Sequence, residues 1–340
     1  MAKQIEAYAA HRLTEARDVS VEGLDRIVGG ASRETYRFRL RYASGGESVD
    51  RGVILRRDPP GSVIETDRRN EFNAYRAFAG VPDVPVPEVF WLEEEGTWLD
   101  YPFFMLEEIA GFESSPAAIG QPPYAERREQ LGHRKWEILG RIAAADPAAI
   151  GLTGCMQAPA PEDCWRRELD YWEGVIDADE LSPWPIARAA IRRLRRSPPP
   201  PAQKLSVVHG DFRTGNFLYD GQGGIHAILD WEMVHLGDPL EDLGWTFNPL
   251  WDFAGNGYMG SLLARDEAIR TWERSSGLCA DPDALGWWEL FNAVKGQAIW
   301  VSSAREFIDG KNHDPIMGMA GLGMANKQDR ALLEIMGKPT

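Results

Sequence analysis

Two polar loops, each placed after a short apolar strand, constrain the fold of this chain more than any other feature. The first lies within residues 207–218 and carries Asp211 and Asn216 between two apolar segments. The second follows the apolar residues 225–229 and begins with Asp230. β-Branched and apolar residues on both sides of a polar turn are typical of short buried strands. Because burying polar groups without a partner costs free energy, this arrangement predicts a site where the three side chains meet a ligand.

The composition is that of a globular protein of ordinary hydrophobic content. The 340 residues are 44% hydrophobic and carry a formal net charge of −15, whereas a nucleic-acid partner requires a basic surface. The N-terminus lacks the apolar core of a signal peptide, and we find no apolar run of roughly eighteen residues that would span a membrane. Three scattered cysteines favour neither a disulfide framework nor a zinc site. We expect a cytoplasmic monomer or homodimer with no nucleic-acid or membrane partner.

The two ends of the chain differ in periodicity. Apolar residues alternate with arginines over residues 36–42, which predicts a half-exposed strand. Further strands are expected over residues 49–57, 88–92 and 102–109, with helices over residues 3–17 and 66–78. Helical patterns then dominate, over residues 124–145, 164–176 and 186–194, and the chain is expected to stay helical after residue 240. At the start of that last section Asp238 is expected to cap a helix, with Glu241 completing a capping box and Asp242 as a further capping carboxylate. The sequence therefore predicts an α+β chain with a small antiparallel N-terminal lobe (residues 1–108) and a larger helical lobe (residues 109–340).

The polar side chains of the two loops suit phosphoryl transfer from a nucleotide. That reaction needs an acceptor for the proton of the incoming hydroxyl and metal to neutralise phosphate charge. Asp211 could orient and deprotonate a substrate hydroxyl. Asn216 and Asp230 offer the hard oxygen ligands that Mg²⁺ prefers. His209, at the entrance of the first loop, is expected to be structural and to hydrogen-bond within that loop.

The N-terminal lobe offers candidates for the phosphate-binding side of such a site. The small residues Gly29, Gly30 and Ser32 could let backbone N–H groups approach phosphates. Arg56, at the end of a strand, could reach the phosphates, and Glu71 on the next helix could hold it in place. Each feature alone has a simpler interpretation: a hairpin turn, a solvated arginine and a surface glutamate.

Several motifs, taken together, closely resemble the aminoglycoside phosphotransferase (APH) family, which has a protein-kinase-like fold. They are His-Gly-Asp-Phe-Arg-Thr-Gly-Asn at 209–216, Ile-Leu-Asp-Trp-Glu at 228–232 and Gly-Asp-Pro-Leu-Glu-Asp-Leu at 237–243. The resemblance implies a two-lobed fold in which Asp211 is the catalytic base and Asn216 and Asp230 bind metal. It also implies that residues 104–109 connect the lobes, with Glu107 and Ile109 beside the nucleotide.

The chain departs from the kinase pattern in its N-terminal lobe. Its glycine loop is not Gly-x-Gly-x-x-Gly, and Arg56 stands where most kinases have lysine. Residues 55–61 look most like an APH-like branch that includes the kinase-type domain of some acyl-CoA dehydrogenases, in which arginine is usual. The resemblance thus implies a phosphotransferase that uses ATP and Mg²⁺. Its small-molecule hydroxyl acceptor could be a hydroxyacyl or CoA-type metabolite, an antibiotic or a similar compound.

Two other functions stay open on the sequence. One is a nucleotide-binding regulatory module without turnover, against which the intact Asp211, Asn216 and Asp230 count. The other is a metal-dependent hydrolase that would combine His209, Asp211 and Asp230 with His226 or His235. The chain lacks the histidine motifs of such enzymes, which counts against it.

Tryptophans in the C-terminal part bear on the acceptor. They are Trp245, Trp251, Trp272, Trp287, Trp288 and Trp300. Core packing between helices is the simpler interpretation of the set. If Trp245 or Trp251 instead lines the cleft, the acceptor is expected to be partly apolar.

Overall fold

The computed structural model describes residues 1–27, 34–58, 67–311 and 315–337, apart from the side chain of Ile316. The strands are β1 (Arg17–Ile27), β2 (Glu34–Ser44), β3 (Glu47–Arg57), β4 (Val89–Glu93), β5 (Phe103–Glu107), β6 (Ser206–Val208), β7 (Phe217–Tyr219), β8 (Ile225–Ile228) and β9 (His235–Gly237). The helices are α1 (Ala2–Arg12), α2 (Arg68–Phe78), α3 (Arg128–Ala144), α4 (Cys164–Asp179), α5 (Pro185–Arg196), α6 (Leu240–Thr246), α7 (Arg265–Ser276), α8 (Pro282–Ile308), α9 (Pro315–Met319) and α10 (Ala325–Gly337). Within these ranges, no helix has both the length and the apolar character to cross a membrane.

A five-stranded antiparallel sheet forms the N-terminal lobe, in the order β1-β2-β3-β5-β4. The alternation predicted for β2 is confirmed, because Phe38 and Leu40 are buried while Arg37, Arg39 and Arg41 are exposed. A two-residue turn at Gly45 and Gly46 joins β2 to β3, and both residues have positive φ. Glycine adopts this conformation without steric cost, which permits the tight hairpin.

The start of the chain differs from the prediction. Helix α1 ends at Arg12, five residues before the expected end, and the unpredicted strand β1 follows it. Most of β1 is exposed or half-exposed, so its sequence has little of the apolar alternation that indicates a strand. Its pairing with β2 supplies the missing stabilisation. Tyr8 of α1 is buried against the sheet, with its ring 4.8 Å from that of Phe103.

The C-terminal lobe is organised around the long helix α8. Its first turn is capped by Asp281, whose carboxylate accepts a hydrogen bond of 2.9 Å from the Ala284 backbone N–H. Helix α8 packs against α4, α5, α6 and α10. Trp288 on this helix and Trp272 on α7 are fully buried, which confirms core packing for these two late tryptophans.

Two small antiparallel sheets in the C-terminal lobe present the polar loops. Strands β6 and β9 pair, and so do β7 and β8. The loop that contains Asp211 therefore leaves one small sheet and enters the other, while Asp230 follows β8 directly.

Helix α6, which follows β9, begins as expected in one respect only. The Asp238 carboxylate accepts a hydrogen bond of 2.9 Å from the Leu240 backbone N–H. The sequence also suggests that Glu241 completes a capping box, and this is wrong. The Glu241 carboxylate is directed to Lys295 and His235 instead.

Candidate active site

The carboxylate of Asp211 is fixed by three side-chain donors. The indole Nε1 of Trp245 donates to Oδ1 at 2.8 Å, and Asn216 Nδ2 donates to Oδ2 at 2.7 Å. Arg213 Nε lies 3.1 Å from Oδ1. These three donors hold the carboxylate in one orientation, which a group that accepts a proton from a bound substrate requires.

The backbone just before Asp211 is held by the carboxylate of Asp242. Asp242 accepts hydrogen bonds from the N–H of His209 at 2.6 Å and of Gly210 at 2.9 Å. Gly210 has a φ of 86°, and a Cβ at this position would lie 2.6 Å from the Met233 carbonyl oxygen. Only glycine fits this turn, so the loop conformation is specified both by Asp242 and by the close approach of residue 233.

His209 has the structural role that the sequence predicts. Its Nδ1 accepts a hydrogen bond of 3.2 Å from the Asp211 backbone N–H, and its Nε2 lies 2.9 Å from the Leu229 carbonyl oxygen. An accepting Nδ1 and a donating Nε2 correspond to the neutral ring. The ring links the two polar loops and is fully buried.

Asp230 lies opposite the N-terminal lobe and binds Arg56. The guanidinium of Arg56 bridges two carboxylates, with Nη2 2.6 Å from Asp230 Oδ1 and Nη1 3.0 Å from Glu71 Oε1. Asp230 also donates its backbone N–H to the Tyr75 hydroxyl at 2.9 Å and has a φ of 64°. Burial raises the pKa of Asp230, but the charge of Arg56 outweighs burial and leaves the pKa below its ordinary value.

The oxygen atoms of Asn216 and Asp230 fit as ligands of a magnesium ion. Asn216 uses its Nδ2 for Asp211, so its Oδ1 is the atom that could bind a metal. Asp230 pairs with Arg56 through Oδ1, and its side chain is 31% exposed. An amide oxygen and a carboxylate on adjacent loops are the hard ligands that Mg²⁺ accepts alongside water and phosphate.

The other predicted site residues have different outcomes. Arg56 and Glu71 are paired, as the sequence suggests. Gly29, Gly30 and Ser32 lie outside the described residues. Glu107 donates its backbone N–H to the Glu88 carbonyl oxygen at 2.8 Å, and Ile109 follows it just beyond the end of β5. The contacts of these residues with a nucleotide stay predictions.

The sequence did not indicate several residues that contact the loops of Asp211 and Asp230. Arg213 lies inside the quoted motif, so its position two residues after Asp211 was available as a signal. Asp242 also belongs to a quoted motif, but its position at a helix start predicts a helix cap instead of a contact with the loop at Asp211. Tyr75 and Lys295 come from distant helices, and the sequence around them gives no sign of their contacts.

A row of aromatic residues begins at Asp211, where Trp245 donates its indole hydrogen bond. Trp251 lies with its ring centroid 5.1 Å from that of Trp245 and 5.2 Å from Arg213 Cζ. Phe253 stacks on Trp251 at 6.3 Å, and 43% of Phe253 is exposed. Trp245 and Trp251 therefore belong both to the core and to the wall beside Asp211.

The acidic residue in this aromatic segment is turned inward. Asp252 accepts hydrogen bonds of 2.7 Å from the Ser261 hydroxyl and from the Gly257 backbone N–H. Its carboxylate therefore stabilises its own loop rather than facing the aromatic wall.

The chain is similar to several known proteins. The model of the phosphotransferase enzyme family (APH) matches residues 24–301. Acyl-CoA dehydrogenase family member 10 of Mus musculus is 31% identical over 221 residues, which are 64% of this chain and 19% of that protein. Viomycin phosphotransferase of Streptomyces vinaceus is 26% identical over 226 residues, 65% of this chain and 69% of that protein. The chain spans about a fifth to a quarter of the acyl-CoA dehydrogenase relatives it matches first.

Solved structures confirm the two-lobed, protein-kinase-like fold. A candidate aminoglycoside phosphotransferase of Ralstonia eutropha has a TM-score of 0.72 and 19% identity, with 100% of this chain and 99% of that chain covered. Aminoglycoside phosphotransferase APH(4)-Ia, in a ternary complex with ADP and hygromycin B, has a TM-score of 0.60 and 19% identity, with 99% and 100% covered.

Proposed function

The chain belongs to the phosphotransferase enzyme family, and from that premise we propose that it transfers the γ-phosphate of ATP to a hydroxyl group of a small molecule. The observation that carries this proposal is the fixed carboxylate of Asp211, hydrogen-bonded to Asn216 and placed on the loop next to Asp230. In this proposal residues 1–108 bind the nucleotide and residues 109–340 bind the acceptor.

Asp211 is the residue proposed to receive the proton of the acceptor hydroxyl. Trp245 and Arg213 hold its carboxylate in one orientation, which keeps a lone pair directed at the incoming group. The positive charge of Arg213 beside Asp211 also suits the negative charge that spreads over the transferred phosphoryl group.

Asn216 and Asp230 are the residues proposed to hold Mg²⁺. When bound, the ion would neutralise phosphate charge and orient the oxygens of the nucleotide. Arg56 lies beside this position, because its forked guanidinium contacts Asp230 and Glu71 through different nitrogens. Glu71 thereby fixes the arginine at the phosphate side of the cleft.

The acceptor that these surroundings favour is partly apolar. Trp251 and Phe253 extend the wall beside Asp211, Arg213 adds a positive charge, and Asp252 faces its own loop. A polycationic sugar would meet a cation and aromatic rings there. We therefore place hydroxyacyl or CoA-type metabolites first among the candidates, with uncharged antibiotics and similar hydroxyl compounds after them.

The test is ATP turnover with Mg²⁺ and a panel of hydroxyl compounds. Asp211→Asn keeps the shape of the side chain but removes the proton acceptor, and should lower turnover by roughly 10²- to 10⁴-fold. Asp220→Asn is the matched control, because Asp220 caps its own turn through the Gln222 and Gly224 N–H groups. Equal turnover in wild type and Asp211→Asn would exclude the assigned role.

The same experiment separates the regulatory-module alternative. The Tm is measured with and without ATP and Mg²⁺ beside the turnover assay. A rise in Tm with nucleotide, without phosphorylation of any acceptor, would favour a module that binds nucleotide without turnover. A bound transition metal in the purified protein, with hydrolysis that needs no nucleotide, would favour the metal-dependent hydrolase.

A further inference from the structure

A buried lysine contacts the peptide bond that precedes Asp211. Lys295, in the middle of α8, is 1% exposed, and its Nζ donates to the Gly210 carbonyl oxygen at 2.7 Å. The same ammonium lies 2.9 Å from Glu241 Oε1 and 5.0 Å from the ring centroid of Trp245. Lys295 therefore contacts both the backbone of the loop and the indole that binds the Asp211 carboxylate.

The ammonium is held by a second layer of charged groups. His235 Nε2 lies 3.1 Å from Glu241 Oε2 and 3.6 Å from Glu168 Oε1, while Nδ1 lies 3.0 Å from the Met233 carbonyl oxygen. All these oxygens can only accept hydrogen bonds, so both ring nitrogens must donate and the ring is an imidazolium. The carboxylates raise the pKa of His235 to about 9 despite burial, which agrees with the geometry.

Glu168, His235 and Glu241 have the spacing of metal ligands, but neighbouring cations already balance the charge of the two carboxylates. Lys295 occupies one oxygen of Glu241, and Arg167 Nε lies 3.0 Å from Glu168 Oε1. Two further cations beside two carboxylates disfavour a divalent ion at this buried position. The cluster acts as a support for Lys295 rather than as a metal centre.

We propose that Lys295 is a positioning residue that fixes the Gly210–Asp211 peptide, with Glu241 and His235 holding its ammonium in place. This inference rests on the proposed role of Asp211. Asp242 binds the N–H groups on one side of this turn and Lys295 binds the carbonyl on the other. Within the Gly210–Asp211 peptide itself, the Asp211 N–H donates to His209 Nδ1 at 3.2 Å and the Gly210 carbonyl accepts from Lys295 at 2.7 Å. A peptide held at both groups cannot rotate freely, so the carboxylate of Asp211 keeps one direction.

The first measurement compares two buried or half-buried lysines that bind backbone carbonyls. Lys295→Met removes the contact with Gly210, whereas Lys204→Met removes a contact of 3.1 Å with the Ala145 carbonyl oxygen at the end of α3. With ATP and Mg²⁺, and water or the acceptor found in the panel, Lys295→Met should lower kcat by roughly 10- to 100-fold. The Kd for ATP should change less than about twofold, because the contacts of Lys295 among the described residues are with Gly210, Glu241 and tryptophan rings of the helical lobe.

A double variant guards against simple loss of folding. Lys295→Met with Glu241→Gln removes one cation and one anion together, so no uncompensated carboxylate remains beside His235. This variant should recover most of the Tm lost in Lys295→Met but keep the low kcat. Recovery of kcat together with Tm would show a purely structural role and overturn the proposal.

Hydrogen exchange tests the same contact without catalysis. Amide exchange in a peptide covering residues 207–212 should be faster in Lys295→Met than in wild type and unchanged in Lys204→Met. Unchanged exchange in Lys295→Met overturns the proposal even if no acceptor is ever found. A wild type without any turnover would instead contradict the proposed function, while the exchange result still decides whether Lys295 fixes the loop.

Discussion

Replacing Arg56 with methionine is expected to destabilise the protein strongly. The guanidinium lies 3.0 Å from Glu71, 2.6 Å from Asp230 and 3.5 Å from Glu232, and only 13% of the arginine side chain is exposed. Removing one partner of a buried ion pair costs roughly 3–5 kcal/mol, because the remaining carboxylates keep their burial without the cation. For a chain of this length the loss corresponds to a Tm decrease of roughly 4–7 °C.

The loss should depend on pH in a defined direction. Arg56 holds the pKa of Asp230 below the ordinary value of 3.8, so the ionised carboxylate is stabilised in the folded state. Stability from this pair is therefore present above about pH 4 and is lost as the pH falls through the folded pKa. The difference in Tm between Arg56→Met and wild type should be largest near pH 7 and narrow below pH 4.

Thermal denaturation over pH 3–8 measures both effects. Arg39→Met is the matched control, because Arg39 pairs with Asp50 on the same sheet but 46% of its side chain is exposed. Exposed pairs of this kind contribute little, so the control should have a Tm close to wild type at every pH. A Tm for Arg56→Met that matches the control at pH 7 would show that the buried ion pairs of Arg56 contribute no more than an exposed pair.

Three further predictions concern the loop and its support. Trp245→Phe removes the indole hydrogen bond to Asp211 and should lower kcat roughly tenfold, measured by steady-state turnover. The Kd for ATP, measured by calorimetry, should change little. Because the pKa of His235 is raised from 6.5 to about 9, its charged form stabilises the fold fully below pH 6.5 and this stability is lost as the pH rises through 9. The loss should be roughly 3 kcal/mol in wild type and absent in His235→Gln, measured by urea denaturation from pH 6 to 10. Asp242→Ala leaves the buried His209 and Gly210 N–H groups without their acceptor and should lower the free energy of unfolding by roughly 2–5 kcal/mol in the same assay. A loss smaller than that of an exposed aspartate variant would contradict the assigned contacts.

Local sequence patterns were sufficient to predict the strands and loops at the centre of the candidate site. The apolar segments on both sides of Asp211 and Asn216 formed strands β6 and β7, and Asp230 followed strand β8 as expected. This succeeded because side-chain alternation and turn residues act between near neighbours in the chain. The two-lobed fold followed from the change in periodicity together with the order of the motifs.

The same patterns failed where stabilisation comes from a distant partner. Strand β1 has weak alternation and depends on its pairing with β2, so the end of α1 was placed too late. Glu241 has the spacing of a capping box, but its carboxylate contacts His235 and Lys295. In both cases a tertiary contact outweighed a local preference of smaller free energy.

Local residue patterns specify which side chains the two loops present, whereas the packing of distant elements specifies which groups hold those side chains in place. Arg56 and Asp230 are 174 residues apart, and Lys295 and Gly210 are 85 residues apart. Periodicity reports only how an element buries one face, whereas these contacts depend on how helices and lobes pack. Because burial makes each charge costly without a partner, packing alone selected the cations that hold Asp230 and the backbone before Asp211.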